Sequence, residues 1–259
     1  MSKEITAPVL EMQNVEKHFG GVHAIDNFSV KIEQGQIHGL IGPNGAGKTT
    51  IFNNITGIYA PDSGKILFLG KDITGSSPHK VAQLGIGRTF QNIRLFSNLS
   101  VLENVVIASG MDATYNLPQA IFHSDKFKKR EKLLNDKAMN LLEIVGLQDK
   151  AGERANSLPY GHQRKLEIAR AMALEPKLLL LDEPAAGMNA DESKELVEFV
   201  RQIRDRFDIT ILMIEHHMDV VTNLCDYCTV LNFGKTIAVG TPAEVKSDPE
   251  VIRAYLGGT

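Results

Sequence analysis

The chain has 259 residues, 43% of them hydrophobic, with 28 Lys and Arg against 31 Asp and Glu and a formal net charge of -3. That length buries a large core, as one domain or as one domain carrying an inserted lobe, and the near-neutral balance gives no footprint for binding nucleic acid. No apolar run approaches the ~20 residues that span a bilayer, and the opening "MSKEITAPVLEMQ" lacks the apolar core of a secretory signal, so the expected location is cytosolic.

The first clear element is "FSVKIEQ", in which Phe28, Val30 and Ile32 alternate with Ser29, Lys31 and Glu33 as in a half-buried strand. "PDSG", residues 61 to 64, marks a turn before the apolar "KILFLG". These segments predict an antiparallel β portion. From "QIHGLIG" onward strands alternate with helices: "TTIFNNITG", "KLLLLDE", then Leu196, Val200, Ile203 and Phe207 at helical spacing, then "ITILMIE". That alternation predicts the α/β class, with a parallel sheet and right-handed crossovers.

Between the predicted strand "QIHGLIG" and the helix after it lies "GPNGAGKT", residues 42 to 49, which matches the phosphate-loop pattern G-x-x-x-x-G-K-[ST] in its required context. Gly42, Gly45 and Gly47, with Pro43, Asn44 and Ala46 between them, let successive backbone N–H groups turn inward around phosphate oxygens. A helix starting at Lys48 adds its positive dipole end. Lys48 is expected to reach the β- and γ-phosphates of ATP and Thr49 to ligate Mg2+, with Thr50 completing the nucleotide-binding set.

Residues 92 to about 170 carry mostly helical patterns, with a capping box at Ser100 and Glu103 and a long helix ending near Gly146. They read as a helical lobe inserted in the α/β core. "KFKKREK", residues 126 to 132, has the composition of a nucleic-acid or lipid patch, but it precedes Leu133, Leu134, Leu141 and Leu142, which favours a solvated helix face. Cys225 and Cys228 in "CDYC" have the spacing of half a zinc site or a redox pair. With no second ligand pair in the sequence, the segment reads instead as a helix end running into the apolar strand "CTVLNF".

"KLLLLDE" is a continuous apolar run of the kind a strand covered on both faces shows, and it carries Asp182 and Glu183 to the C-terminal edge where open α/β sheets bind ligands. An acidic pair ending a strand often caps the next helix. Beside a phosphate loop the stronger reading is that Asp182 holds Mg2+ through water while Glu183 accepts the proton of the attacking water. The adjacent His216 and His217 suggest a metal, but neighbouring side chains point in different directions and are poorly placed to share an ion.

At this point the sequence resembles the ATP-binding subunits of ABC transporters, and the resemblance covers essentially the whole chain. It implies a RecA-like P-loop NTPase core over residues 1 to 91 and 170 to 259, with an N-terminal antiparallel β subdomain, and an inserted helical subdomain over 92 to 169 carrying a signature motif. Phe19 in "KHFGG" sits where that family stacks adenine on an aromatic, and Gln91 in "RTFQN" sits at its glutamine loop, which touches magnesium and meets the membrane subunit. Taken alone, Phe19 reads as a core aromatic and Gln91 as a loop polar residue. "GHQRKLEIARAMA" looks like the signature helix, Gly187, Met188 and Asn189 like the D-loop, and His216 like the switch histidine that contacts the γ-phosphate.

Two departures stand out. The usual LSGGQ is here Leu158, Pro159, Tyr160, Gly161 and His162, followed by Gln163, so the serine hydroxyl is missing; and Asn189 replaces the usual D-loop aspartate. "LPYG", "RTFQNIRLF", "DEPAAGMN" and the tail "TPAEVKSDPEVIRAYLG" are similar to the LivG-type ATPases of branched-chain amino-acid importers, and in the tail Thr241, Pro242 and Glu244 form a capping box. The resemblance implies that two ATPase subunits, identical or different, close around two ATP molecules, each offering its signature helix to the other's phosphate loop. It further implies two membrane permease subunits, an indirect solute-binding protein outside the membrane, and a peripheral position on the cytoplasmic side. Lipopolysaccharide-export ATPases are a rival, separated by "LPYG" where their signature keeps LSGG. Soluble mechanochemical ATPases of repair carry a long coiled coil that this chain lacks, and translation factors carry two cassettes. A small-molecule kinase leaves "EHHMD" unexplained.

Overall fold

The computed structural model describes residues 7 to 109 and 125 to 256. The chain divides into two compact units, the first built from Met1–Gln91 and Lys177–Thr259, the second from Asn92–Pro176.

In the first unit β1 (Leu10–Phe19), β2 (Val22–Ile32), β4 (Ser63–Phe68) and β5 (Lys71–Asp72) form an antiparallel sheet in the order β2-β1-β4-β5. Phe28 and Ile32 of β2 are buried, as the alternation requires. β1 is ten residues long, and its pairing with β2 shifts register three times between Met12 and His18. Asn14, within the first of these shifts, has a φ of 46°, so the strand's apolar period is broken where it bulges.

A second sheet runs β10-β9-β3-β8-β7-β6, where β3 is Ile37–Ile41, β6 Ile86–Arg88, β7 Leu178–Asp182, β8 Thr210–Ile214, β9 Tyr227–Asn232 and β10 Lys235–Gly240. Only the β9/β10 pair is antiparallel. Every residue of β3, β7 and β8 is buried, which accounts for their unbroken apolar runs. The register aligns Leu40 with Ile214 and Ile214 with Asp182. The chain therefore leaves β3, β8 and β7 at one level of the same sheet edge, and that alignment builds the site.

Helix α1 (Lys48–Ile55) packs Ile51, Phe52 and Ile55 into a core shared with Leu40, Leu178, Leu180, Leu212 and Ile214 of the parallel sheet and with Leu10, Phe28 and Ile66 of the antiparallel one. Inside β3, His38 is buried with its Nε2 2.9 Å from Thr229 Oγ1 and no partner at Nδ1. Burial holds its pKa at about 4. Helix α2 (Pro78–Gln83) precedes β6.

The second unit holds α3 (Val101–Ser109), α4 (Asp125–Ile144) and α5 (Tyr160–Met172). The Ser100 box closes in both directions: Ser100 N–H donates to Glu103 at 2.7 Å and Glu103 N–H to Ser100 Oγ at 3.1 Å. α4 stops just before Gly146, whose φ is 70°. Ala138 and Leu142 of α4 are buried, but Leu133 is 55% exposed and Lys129, Glu131 and Lys132 before it are exposed too, so this described stretch of the helix is solvated. Of that segment, the side chains of Lys126, Phe127 and Lys128 lie outside the described residues. The unit ends at Pro176, beyond the expected boundary at 169 and 170, which falls inside the continuous α5.

Beyond β7 the first unit continues with α6 (Ala190–Phe207), α7 (Met218–Leu224), α8 (Pro242–Ser247) and α9 (Pro249–Leu256). The "CDYC" segment is the end of α7 leading into β9, and Cys225 and Cys228 are both buried free thiols. Their sulfurs fill the space where a Cβ on Gly39 of β3 would come within 3.0 and 3.1 Å of them. The Cys228 side chain and burial together push the Cys225 thiol well above the ordinary cysteine range.

Candidate active site

After Ile41 the chain turns through Gly42, Gly45 and Gly47, with φ of 148°, 79° and 103°, and enters α1. A Cβ on Gly42 would fall 2.2 Å from the Leu231 carbonyl oxygen, and one on Gly47 would fall 2.4 Å from that of Ala24. Glycine is therefore required there by close backbone approach as well as by φ. Gly47 is the N-cap of α1 and makes no side-chain cap, so the first amides of the helix stay available to an anion. Lys48 Nζ donates to the carbonyls of Gly42 and Pro43 at 2.7 and 2.9 Å, which fixes its ammonium at the mouth of the loop. Burial draws its pKa below the ordinary lysine value, opposed by the charges of Glu183 and Asp182. Asn44 and Thr49 are exposed, Ala46 is buried, and Pro43 and Thr50 lie between these extremes.

Asp182 is the last residue of β7 and Glu183 follows outside it. Asp182 Oδ2 accepts from Arg88 Nη2 at 3.0 Å in a pair whose side chains are 6% and 8% exposed. Arg88 comes from the adjacent β6 and also donates to Asn53 Oδ1 and Thr56 Oγ1 of the α1 segment. Sequence reasoning missed it, because its contact with Asp182 depends on the β6/β7 register. Glu183 keeps a sheet bond, its N–H donating to Ile214 O at 2.9 Å, while its φ of 46° turns the chain out of the strand. Gln91 Nε2 donates to Glu183 Oε2 at 2.9 Å, and His216 Nδ1 lies 3.7 Å from the same oxygen. Three sequence-predicted residues, spread over more than a hundred positions, thus meet at one carboxylate.

His216 and His217 depart from expectation. Their ring centroids are 4.1 Å apart with planes tilted by 37°, so the two side chains lie side by side. β8 ends at Ile214, and the alternation of a strand does not extend to residues beyond it. Glu215, wholly buried, lies between them and the loop after β7: its carboxylate accepts from the amides of Ala185, His216 and His217.

Asn189 is the N-cap of α6, accepting from the amides of Asp191 and Glu192 at 3.0 Å, while Glu192 returns a bond to the Asn189 amide. The acidic pair therefore does not cap that helix. Gly187 has a φ of 77°, and Met188 N–H bonds back to Ala185 O. Phe19, at the end of β1 and 42% exposed, packs edge-on against Tyr59 with centroids 5.1 Å apart. Tyr59 is a second exposed aromatic that sequence reasoning did not single out, since nothing local distinguishes it.

In the second unit Pro159 is the N-cap of α5 and Tyr160 its first residue. Gln163 N–H bonds to Pro159 O at 3.0 Å and its side chain to Leu158 O at 2.8 Å. Leu158 is buried, a Cβ on Gly161 would meet nothing within 4 Å, and His162 Nδ1 is buried without a partner. Tyr160 Oη accepts from Arg164, whose buried pair with Glu167 closes at 2.7 Å.

A phosphate loop, an acidic strand end and a histidine loop on neighbouring strands of one parallel sheet are the frame of a nucleotide-hydrolysing cassette. A family model for ABC transporters matches residues 25 to 186, and one for branched-chain amino acid ATP-binding cassette transporters matches residues 235 to 259. The chain belongs to the ABC transporter family, as an ATP-binding subunit that hydrolyses ATP. Among its relatives, the high-affinity branched-chain amino acid transport ATP-binding protein BraF of Pseudomonas aeruginosa is 41% identical over 98% of this chain and 99% of its own length. LivG of Salmonella typhimurium, named as the same kind of protein, matches to the same degree. The ADP conformation of an ATP-binding cassette of an ABC transporter superposes with a TM-score of 0.85 at 33% identity, over 97% of this chain and all of that one. Among the described residues no helix is long and apolar enough to cross a membrane.

Proposed function

We propose that this chain powers the uptake of branched-chain amino acids as one of two ATPase subunits bound to two permease subunits at the cytoplasmic face of the membrane, downstream of a solute-binding protein. The observation that carries the reading is the convergence of Gln91, Glu183 and His216 beside the Lys48 loop. The loop amides and Lys48 bind the β- and γ-phosphates, and Phe19, with Tyr59 beside it, takes the adenine. Glu183 accepts the proton of the attacking water, Gln91 and His216 hold its carboxylate, and His216 also contacts the γ-phosphate. Thr49, Gln91 and Asp182 offer hydroxyl, amide and carboxylate oxygens, a hard donor set that suits Mg2+. Arg88 takes one oxygen of Asp182 and so orients the other. The ion neutralises phosphate charge when bound. The signature motif, residues 158 to 163 at the start of α5, serves the nucleotide of the partner ATPase. Likeness to the branched-chain relatives along nearly the full chain, and the tail match at residues 235 to 259, support the substrate class.

The test is the Glu183→Gln variant assembled with its permeases in vesicles. ATP binding is expected to persist while hydrolysis and leucine uptake fall ~100- to 10,000-fold. Near-normal hydrolysis would reject the assignment of the base, and preferential uptake of another solute by the unsubstituted assembly would reject the substrate class.

A further inference from the structure

We propose that Glu215 is a positioning residue that fixes the loop carrying Glu183 to the loop carrying His216, an inference that rests on the roles assigned above. A carboxylate directly after an apolar strand would be expected to face solvent, yet Glu215 is wholly buried. Its two oxygens are divided between two loops. Oε1 accepts the N–H of Ala185, two residues after Glu183, at 3.2 Å. Oε2 accepts the N–H groups of His216 and His217 at 2.7 and 2.9 Å and faces His217 Nδ1 at 3.1 Å. Several N–H donors converging on the two oxygens of one buried carboxylate hold it in a single orientation, because such bonds have strict direction.

The division matters because His216 and Glu183 have little else joining them. Their own contact is a 3.7 Å approach between a half-exposed imidazole and the catalytic carboxylate. The β7/β8 ladder reaches Asp182 and Ile214, with one further backbone bond from Glu183 N–H to Ile214 O. Glu215 adds a tie past that end. On the β7 side the tie continues through the Ala186 N–H to Glu183 O turn and the Met188 N–H to Ala185 O turn, so the segment leading to Asn189 is set from the same carboxylate. A small displacement of either loop would alter the Glu183–His216 distance without disturbing Lys48 or the glycine loop, so the residue should act on turnover and not on nucleotide binding.

Glutamine distinguishes this from simple core packing. It has nearly the same shape but only one acceptor oxygen. If that oxygen faces the two amides of His216 and His217, the side-chain NH2 meets the Ala185 N–H donor to donor, and the tie to the β7 loop is cut. Glu215→Gln should lower kcat of the complete transporter about tenfold or more and leave KM for Mg-ATP and the calorimetric ATP affinity within about threefold, with a fall of several degrees in thermal midpoint from the unpaired buried amide. Glu215→Asp, which keeps both acceptor oxygens, should restore part of the kcat. If the glutamine variant does not fold, the aspartate variant carries the test through the same split, with kcat lowered and ATP affinity kept. A kcat within twofold of the unsubstituted protein, or a loss of ATP affinity matching the loss of kcat, overturns the proposal. Glu183→Gln, measured in parallel, separates the two readings. If it abolishes turnover and the Glu215 variants do not, only the positioning role falls. If it leaves turnover intact, the catalytic assignment falls and this inference with it.

Discussion

Two pairs of helices begin in opposite ways. α6 and α8 open with complete capping boxes, Asn189 with Glu192 and Thr241 with Glu244, so side chains of the chain itself occupy their leading amides. α1 and α5 open on Gly47 and Pro159, which offer no side-chain acceptor to the leading amides. A side-chain cap contributes ~0.5–2 kcal/mol. Omitting it at α1 and α5 gives up that stability and keeps the amides and the positive helix end for an anion. In these two pairs the helix starts with no assigned ligand are closed and those proposed for phosphate are open, although α2 and α7 also begin without a side-chain cap.

The largest test of this contrast is Lys48→Ala, which removes the cation and leaves the open amides of α1. The loss of a charge-assisted phosphate contact, on the order of 1.5–3 kcal/mol, predicts more than a tenfold fall in ATP affinity by calorimetry. Unchanged affinity would mean that the open amides suffice alone.

An unpartnered polar group is not always kept for a ligand, and His38 Nδ1 is the contrary case. The unfolded chain protonates this histidine near 6.5 and the folded one only near 4, so between those values the unfolded state binds more protons. Stability is therefore complete above the upper value and falls as pH falls, by about 1.5 kcal/mol from pH 6.5 to about pH 5 through this group. Urea unfolding of the protein and of His38→Gln across that range should differ in slope, and equal slopes would show that His38 is not the group titrating.

At a closed helix, Thr241→Ala should cost ~1 kcal/mol, or roughly 2–4 °C in thermal midpoint, with ATP affinity and turnover unchanged. A functional loss would mean that this cap too belongs to the machinery. The smallest effect is expected at Pro159→Ser. Losing the fixed proline φ costs ~0.4–1 kcal/mol, and a capping hydroxyl returns a similar amount, so the midpoint should barely move. ATP-dependent association with the partner ATPase, measured in the Glu183→Gln background, should be equal or tighter. A tenfold weakening would show that the rigid proline turn sets the site.

The parts legible in the sequence were those with local signals. "KLLLLDE" and "ITILMIE" read as buried strands because both faces of β7 and β8 are covered, and the phosphate loop read from glycines whose φ values demand them. β1 escaped because its bulges break the period of two, and β6 because three residues carry no period. The roles of Arg88 and Glu215 depend on strand register and on burial past a strand end, neither of which a local pattern encodes. The side-by-side placing of His216 and His217 is likewise hidden from a local pattern, because both follow the end of β8, where strand alternation no longer applies.

β6 should stand apart from the interior strands in amide exchange. It is the outermost strand of the parallel sheet, three residues long and paired on one side only, with β7. Edge strands open at lower free energy than interior ones, so Gly87 and Arg88 should exchange faster than the amides of β3 and β8, which lie between neighbours. Yet this short strand delivers Arg88 to Asp182 and leads within three residues to Gln91, the donor to Glu183. Asp182 and Glu183 thus take their outside support from an edge of the sheet, while β7, which carries them, lies between β8 and β6.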